Sequence, residues 1–357
     1  MYLLSIIIPT SGRHQTLLKV LDDINTKIGK RKDVEVIVED NGKNSISLDN
    51  TIKYFHNPLK ISITENFDRA IHKTSGDFVL ILGDDDFIGP GFNKFLDNIN
   101  KDISAYRFKK AFYYFNGHKM PFSWQKKSEW LRFQKYSGAK SFINSQEELI
   151  KVANSGGVNM FNLPSVYHGL VKRTVLMSLF SKYDTCFPGP SPDMANGVAV
   201  ANEIDYFMFI DLPLIISGKG NRSKGDIMVE HSANLNNVKH INKKYIGSWS
   251  NNILKYWLAE TVWAESFLQA QKTFPNKIDL NFNALNITLL INHKKTLNIL
   301  GYNRRKLNIS RSVYFIEFLK NKLFKLKKFL NFKKVILNGG IEDVNNILIT
   351  SSSKNIN

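Results

Sequence analysis

The chain has 357 residues, enough for two domains or for one large domain with an appendage, and its 43% apolar and 22% charged content excludes wholesale disorder. Its single cysteine, Cys186, excludes a disulfide framework and a zinc site built on paired cysteines, and fits a reducing compartment. Forty-nine basic against 31 acidic residues leave a net charge of +18, which points to a polyanionic partner: nucleic acid, an anionic membrane surface or a phosphate-bearing substrate.

The first hundred residues alternate strand and helix. Leu3 to Ile8 is an apolar run ending at Pro9, suited to a buried parallel strand. With no basic segment before it, it reads as a first strand and not as a signal peptide. Thr16 to Ile28 has helical spacing, and Val34 to Val38 is a second strand followed by the turn-like Asp40, Asn41 and Gly42. Ile52 to Phe55 is a short third strand, and Thr64 is the expected cap of a helix reaching Lys73. Phe78 to Leu82 is a wholly apolar strand that runs straight into Gly83, Asp84, Asp85 and Asp86. This order predicts an α/β sheet with crossover connections. In such sheets ligands bind beyond the carboxyl ends of the strands, where Pro9–Arg13, Asp40–Gly42 and Gly83–Asp86 all fall.

Asp102 to Pro192 is rich in aromatics and less regular. Leu163 to Phe180 reads as a short strand and a helix, Asp193 to Ala201 as a helix behind Pro192, and Phe209 to Ser217 as one apolar strand. Ile246 to Gln271 and Ile287 to Leu300 have helical spacing. Between Gly301 and Ile336 eleven basic residues face one acid, Glu317, so about ten of the eighteen excess charges lie in a tenth of the chain. Within it Ile316, Leu319, Leu323, Leu326 and Leu330 step by three and four, one helical stripe with Lys320, Lys327 and Lys328 off it. A basic amphipathic segment over 311–334 suits an anionic bilayer surface; a solvated helix packed on the rest of the protein accounts for it equally well. No run of about 18 apolar residues is present.

Three consecutive aspartates after a buried strand repel one another unless a cation shares the site. Mg²⁺ or Mn²⁺ bound by one or two carboxylates and by substrate phosphates relieves that repulsion. A polar turn that merely caps the next helix is the plainer reading; the buried strand before the triplet and Gly89-Pro90-Gly91 after it favour metal–phosphate chemistry.

Ser5 to Thr10, Val34 to Asn41, Asn66 and Ser75 to Gly91 together resemble the family 2 glycosyltransferases of the GT-A fold, in order and in spacing. Tyr167-His-Gly169, Ser191-Pro-Asp193 and Phe209 to Gly218 extend the likeness more loosely, toward bacterial transferases that build O-antigen, capsule or other surface glycans. The resemblance implies a Rossmann-like mixed sheet flanked by helices over 1–235, with 1–100 as the nucleotide-binding half and 101–235 as the acceptor half. Residues 236–357 would form a helical C-terminal region.

It also implies roles. Pro9 and Thr10 would line a nucleoside pocket, with Arg13 close by toward the phosphates. Asp40 would bind the uracil or ribose, and Asn66 the base. Asp84, Asp85 and Asp86 would hold ribose and metal–diphosphate, Asp85 and Asp86 as metal ligands and His231 as a third. Gly83 stands where the family often has the first aspartate of the motif. The donor would be a nucleotide sugar, UDP-linked, and the acceptor a glycan, with a lipid-linked one suiting the basic tail. Of Asp193, Glu203 and Asp205, Asp193 matches the family's catalytic carboxylate, the general base of an inverting reaction; as a plain helix cap it would have no such role.

His168 would face the acceptor. The basic loop from Gly218 to Gly225, with Lys219, would close over the diphosphate or simply lie solvated, and Trp124 and Trp130 could stack on sugars, although core packing is the commoner fate of a tryptophan. The expected location is the cytoplasm, peripheral on the inner face of the cytoplasmic membrane. Two other readings stay open: a sugar nucleotidyltransferase, for which Pro9–Arg13 is poor in glycine, and a basic nucleic-acid-binding protein, for which no zinc-finger or RNA-recognition signature is present.

Overall fold

The computed structural model describes residues 2–117, 129–219, 233–235, 238, 241–275, 277–307, 309–337 and 340–353. Its larger sheet is built from β1 (Leu4–Thr10), β2 (Val34–Asp40), β3 (Ile52–His56), β4 (Phe78–Ile81), β6 (Ala105–Phe108), β9 (Lys140–Asn144), β10 (Gly169–Lys172) and β11 (Tyr206–Ile210). The strand order is β3-β2-β1-β4-β10-β6-β11-β9. β3, β2, β1 and β4 run parallel, and β10 runs antiparallel to both β4 and β6. β1 and β4 are buried along their whole length, which is why they read as unbroken apolar runs.

Helices α1 (His14–Ile28) and α2 (Ile63–His72) make the crossovers that parallel strands require. The α1 residues Leu17, Val20, Leu21, Ile24 and Ile28 bury one face at helical spacing. The cap of α2 is Ser62, not Thr64: its side chain accepts from Glu65 N while Glu65 reaches back to the Ser62 N–H.

A second sheet joins the terminal strand Phe332–Leu337 to β8 (Glu129–Gln134), β7 (Ala111–Tyr114), β12 (Ile215–Lys219) and β5 (Phe87–Ile88) in that order. Several expectations are corrected here. The run from Phe209 to Ser217 is two strands in two sheets, broken at Asp211-Leu212-Pro213, because proline cannot donate to a ladder. The basic helix ends at Asn331, and Phe332–Leu337 pairs antiparallel with β8 over six residues. Ile246–Gln271 is interrupted, with helices only at Lys243–Gly247 and Ala259–Thr273, and the helical run to Leu300 breaks at His293.

The smaller elements α3 (Phe92–Asp97), α4 (Ser145–Asn154), α5 (Arg173–Tyr183) and α6 (Pro192–Glu203) close the faces. One apolar core lies between α1, the two sheets and the C-terminal Leu337, Val344 and Leu348. Another is shared by Leu149, Met194 and Val198 with Val262, Phe267 and Leu285, across the expected boundary at 235. No described helix is long and apolar enough to cross a membrane.

Candidate active site

The carboxyl ends of β1, β2 and β4 open on one rim of the larger sheet. β4 delivers the aspartates there. Leu82 still bonds back to Ile7 O, then Asp86 N turns to Gly83 O and the chain enters β5. A Cβ at Gly83 would stand 2.8 Å from Asp86 Oδ2, 2.9 Å from the Tyr167 hydroxyl and 3.1 Å from Asp85 Oδ1. Any side chain at this position would press on the two acids and on Tyr167.

The three acids are 5%, 7% and 1% exposed, and each has protein partners. Thr10 Oγ1 donates to Asp84 Oδ2 at 2.6 Å. Arg13 spans two of the acids, with Nη1 3.1 Å from Asp84 Oδ1 and Nη2 2.7 Å from Asp85 Oδ2. Asp86 turns inward: Oδ2 accepts from Gly83 N at 2.6 Å and meets His168 Nε2 at 2.5 Å, while Oδ1 accepts from Gly218 N at 2.9 Å.

The charges follow from this wiring. Burial pushes the Asp84 carboxyl up to about 6, helped by Asp85 and Asp86 and opposed by Arg13 and Thr10. Burial and then Asp86 also raise Asp85 against Arg13 and Lys219. For Asp86, His168 and the two backbone N–H donors outweigh burial and hold the carboxyl below its usual range. Asp86 therefore secures the loop, and the expectation that it is a metal ligand meets two oxygens already engaged. Asp85, paired among the described residues through Arg13 at Oδ2, is the carboxylate suited to an ion shared with a diphosphate. Among the described residues no three acids, histidines or cysteines gather as a ready-made cage. His231 lies outside the described residues.

Asp40 is wholly buried at the end of β2. Gly42 N donates to Oδ1 at 2.7 Å, and Oδ2 takes the Tyr54 hydroxyl at 2.9 Å and His14 Nε2 at 2.8 Å. Asp40 was expected to touch the nucleoside; here it has no exposed surface, and His14 at the rim is the group it fixes. Asn66 is buried on α2, its amide donating to Glu39 O at 3.3 Å and its Oδ1 without a partner among the described residues. Pro9 and Thr10 end β1 beside this group.

The opposite wall comes from residues 166–193. Ile81 N bonds to Val166 O and His168 N to Ile81 O, so Tyr167 and His168 run alongside the end of β4. His168 adopts φ 57°, a conformation that costs a non-glycine residue about 1 kcal/mol or more. It is held there by this backbone bond and by Asp86, so it braces the aspartate loop at the mouth where an acceptor was expected to meet it. Asp193 is half-buried in the first turn of α6, behind Pro192, with the positive end of the helix beneath it. Burial raises its carboxyl, and His168, Lys219 and Arg107 oppose that rise. Asp86 is also within electrostatic reach of Asp193.

The sequence reading missed Arg107, Tyr167, His14 and Tyr54. Arg107 lies in β6, 4% exposed, and donates to Tyr167 O at 2.7 Å. Burial brings it down to about 10 despite Asp193. An arginine inside an otherwise apolar strand was its only sequence signal. Gly218 and Lys219 belong to β12, while 220–232 lie outside the described residues. Trp130 is not a sugar platform: it is 3% exposed and stacks on Tyr114 with centroids 3.7 Å apart. Trp124 lies outside the described residues.

Residues 5–146 match glycosyl transferase family 2. Crystal structures of S. aureus TarS are distantly similar. TarS 1–349 in complex with UDP-GlcNAc is 15% identical, with 85% of this chain and 74% of that chain covered and a TM-score of 0.46. The same fragment in complex with UDP is 14% identical, with 87% and 76% covered and a TM-score of 0.44. A longer TarS structure is 15% identical, with 67% and 40% covered and a TM-score of 0.39. No curated protein matches the chain.

Proposed function

We infer, from a chain whose residues 5–146 are a family 2 glycosyltransferase segment of GT-A fold, that the protein moves a sugar from a UDP-linked donor to a hydroxyl of a surface-glycan acceptor. Transfer of a glycosyl group from a nucleotide sugar is the general activity; the nucleotide, the acceptor and inversion at the anomeric carbon are our proposal. The observation that carries it is the convergence of Asp84–Asp86, the Asp40–His14 pair and Asp193 at one rim of the sheet.

Asp193 accepts the proton of the acceptor hydroxyl as that oxygen attacks the anomeric carbon. The bond from that carbon to the β-phosphate oxygen breaks, and Arg13 and Lys219 are the side chains at hand to meet the charge that develops there. Asp85, with the diphosphate, would hold Mg²⁺ or Mn²⁺, which would supply further neutralisation of the leaving group. His14, steadied by Asp40, and Thr10 face the nucleoside side. Tyr167, whose ring centroid lies 4.0 Å from that of His168, feels the charges of both the aspartates and Asp193.

The enzyme works at the inner face of the cytoplasmic membrane, against a lipid-linked acceptor. This reading is supported by the helix Arg311–Asn331, on which Ile316, Leu319, Leu323, Leu326 and Leu330 are 45–69% exposed amid lysines. Release of UDP from UDP-sugars, measured with acceptor, is expected to stop with EDTA and with Asp85→Ala. Asp193→Asn should bind UDP normally yet transfer about 10²–10⁴-fold more slowly. Normal transfer by Asp193→Asn would place the base elsewhere.

A further inference from the structure

We propose that Arg13 is a built-in counter-cation that keeps a divalent ion off the aspartate cluster until a nucleoside diphosphate arrives, and then turns onto that diphosphate. The inference rests on the donor reading given above and adds an order of events to it.

The protein neutralises its own acids. Asp86 is turned inward and 1% exposed, with Gly83 N and His168 at Oδ2 and Gly218 N at Oδ1. Asp84 is shared by Thr10 and Arg13. Asp85 is the remaining carboxylate, and its partner is the other arm of the same guanidinium. An ion that binds Asp85 Oδ2 therefore meets Arg13 there, 2.7 Å away. Two cations at one carboxylate repel strongly in a poorly solvated site. A lone carboxylate is also a meagre ligand for a small divalent ion, which keeps its water unless several oxygens replace it.

A diphosphate changes both conditions. It brings oxygens that complete the coordination of the ion together with Asp85. It also offers the planar guanidinium two oxygens of one phosphate to bond at once, a better partner than two crowded carboxylates. Arg13 is placed for such a move. Its backbone is pinned at the head of α1, where Arg13 O accepts from Thr16 N at 3.2 Å and from Leu17 N at 3.1 Å. Its side chain is 28% exposed, whereas Asp84 and Asp85 side chains are 7% and 9% exposed. The guanidinium thus covers the acids from the solvent side, at the mouth through which a donor enters.

The test is Mn²⁺ uptake by the full chain, followed by electron paramagnetic resonance of free Mn²⁺, with and without UDP. Wild type, Arg13→Gln and Arg13→Lys are compared, with melting curves to show that each is folded. Wild type should take up Mn²⁺ far more weakly without UDP than with it. Arg13→Gln should take up Mn²⁺ without UDP about tenfold more tightly than wild type and bind UDP about tenfold more weakly. Arg13→Lys, which keeps the charge, should behave as wild type without UDP. Tight Mn²⁺ uptake by wild type without UDP overturns the proposal whatever the variants do. Equal Mn²⁺ affinity of Arg13→Gln and wild type without UDP, in a protein that still takes up Mn²⁺ with UDP, overturns the role of Arg13 and leaves the donor reading standing. No Mn²⁺ uptake by any form with UDP present overturns both.

Discussion

At Gly218 a Cβ would lie 1.6 Å from Asp85 O, a distance no side chain can accept without moving the aspartate loop. The same residue donates its N–H to Asp86. Gly218→Ala should therefore cost about 3 kcal/mol or more of stability and weaken UDP–Mn²⁺ binding as well; melting curves beside a nucleotide titration check both. As the proposed base, Asp193 would carry the pH dependence. A base must be ionised, and burial lifts this carboxyl above its ordinary value of 3.8. The rate with saturating donor should fall as the pH is lowered through that raised value, so the acid limb sits higher than an exposed aspartate would put it. A pH–rate profile checks this, and the slow residual transfer of Asp193→Asn should lack the limb.

At the scale of elements, the C-terminal segment has two jobs that one deletion would confuse. Phe332–Leu337 extends the smaller sheet, and Leu337, Val344 and Leu348 are at most 5% exposed in the first core. Removing residues 332–353 takes these three side chains out of the core and bares the β8 edge, a loss on the order of 5 kcal/mol, comparable with the whole stability of many domains. The helix before it is different, because its stripe is outside. Leu319→Glu with Leu323→Glu should leave the melting temperature within a degree or two of wild type yet abolish co-sedimentation with vesicles containing anionic lipid. Unchanged co-sedimentation would exclude this stripe as the contact.

For the whole molecule, the sequence was readable where burial is total and local. β1 and β4 appear as apolar runs because both faces are covered, and the acids that follow β4 announce a site by their cost. β9 was invisible: Lys140-Ser-Phe-Ile-Asn144 is a largely exposed edge strand with no clear alternation. The terminal strand was also hidden, since its partner β8 lies some 200 residues earlier and its lysines read as a continuation of the helix. In the site, the residue types could be read, but their wiring could not. That Asp86 is spent on the loop depends on His168 and Gly218, 82 and 132 residues away. That Asp40 is sealed by His14 and Tyr54 depends on the packing of α1 and β3 against β2.

The central claim is that a nucleoside diphosphate and a divalent ion meet Asp85 at the rim of the larger sheet, across from Asp193. A crystal structure of the full chain with UDP and Mn²⁺ tests it most directly. The account predicts the diphosphate beside the carboxyl end of β4, Mn²⁺ bound to Asp85 but not to Asp86, Arg13 turned from the acids onto a phosphate, and Asp193 facing the space the sugar would fill. UDP bound on another face of the sheet, or a diphosphate remote from Asp85, would contradict it.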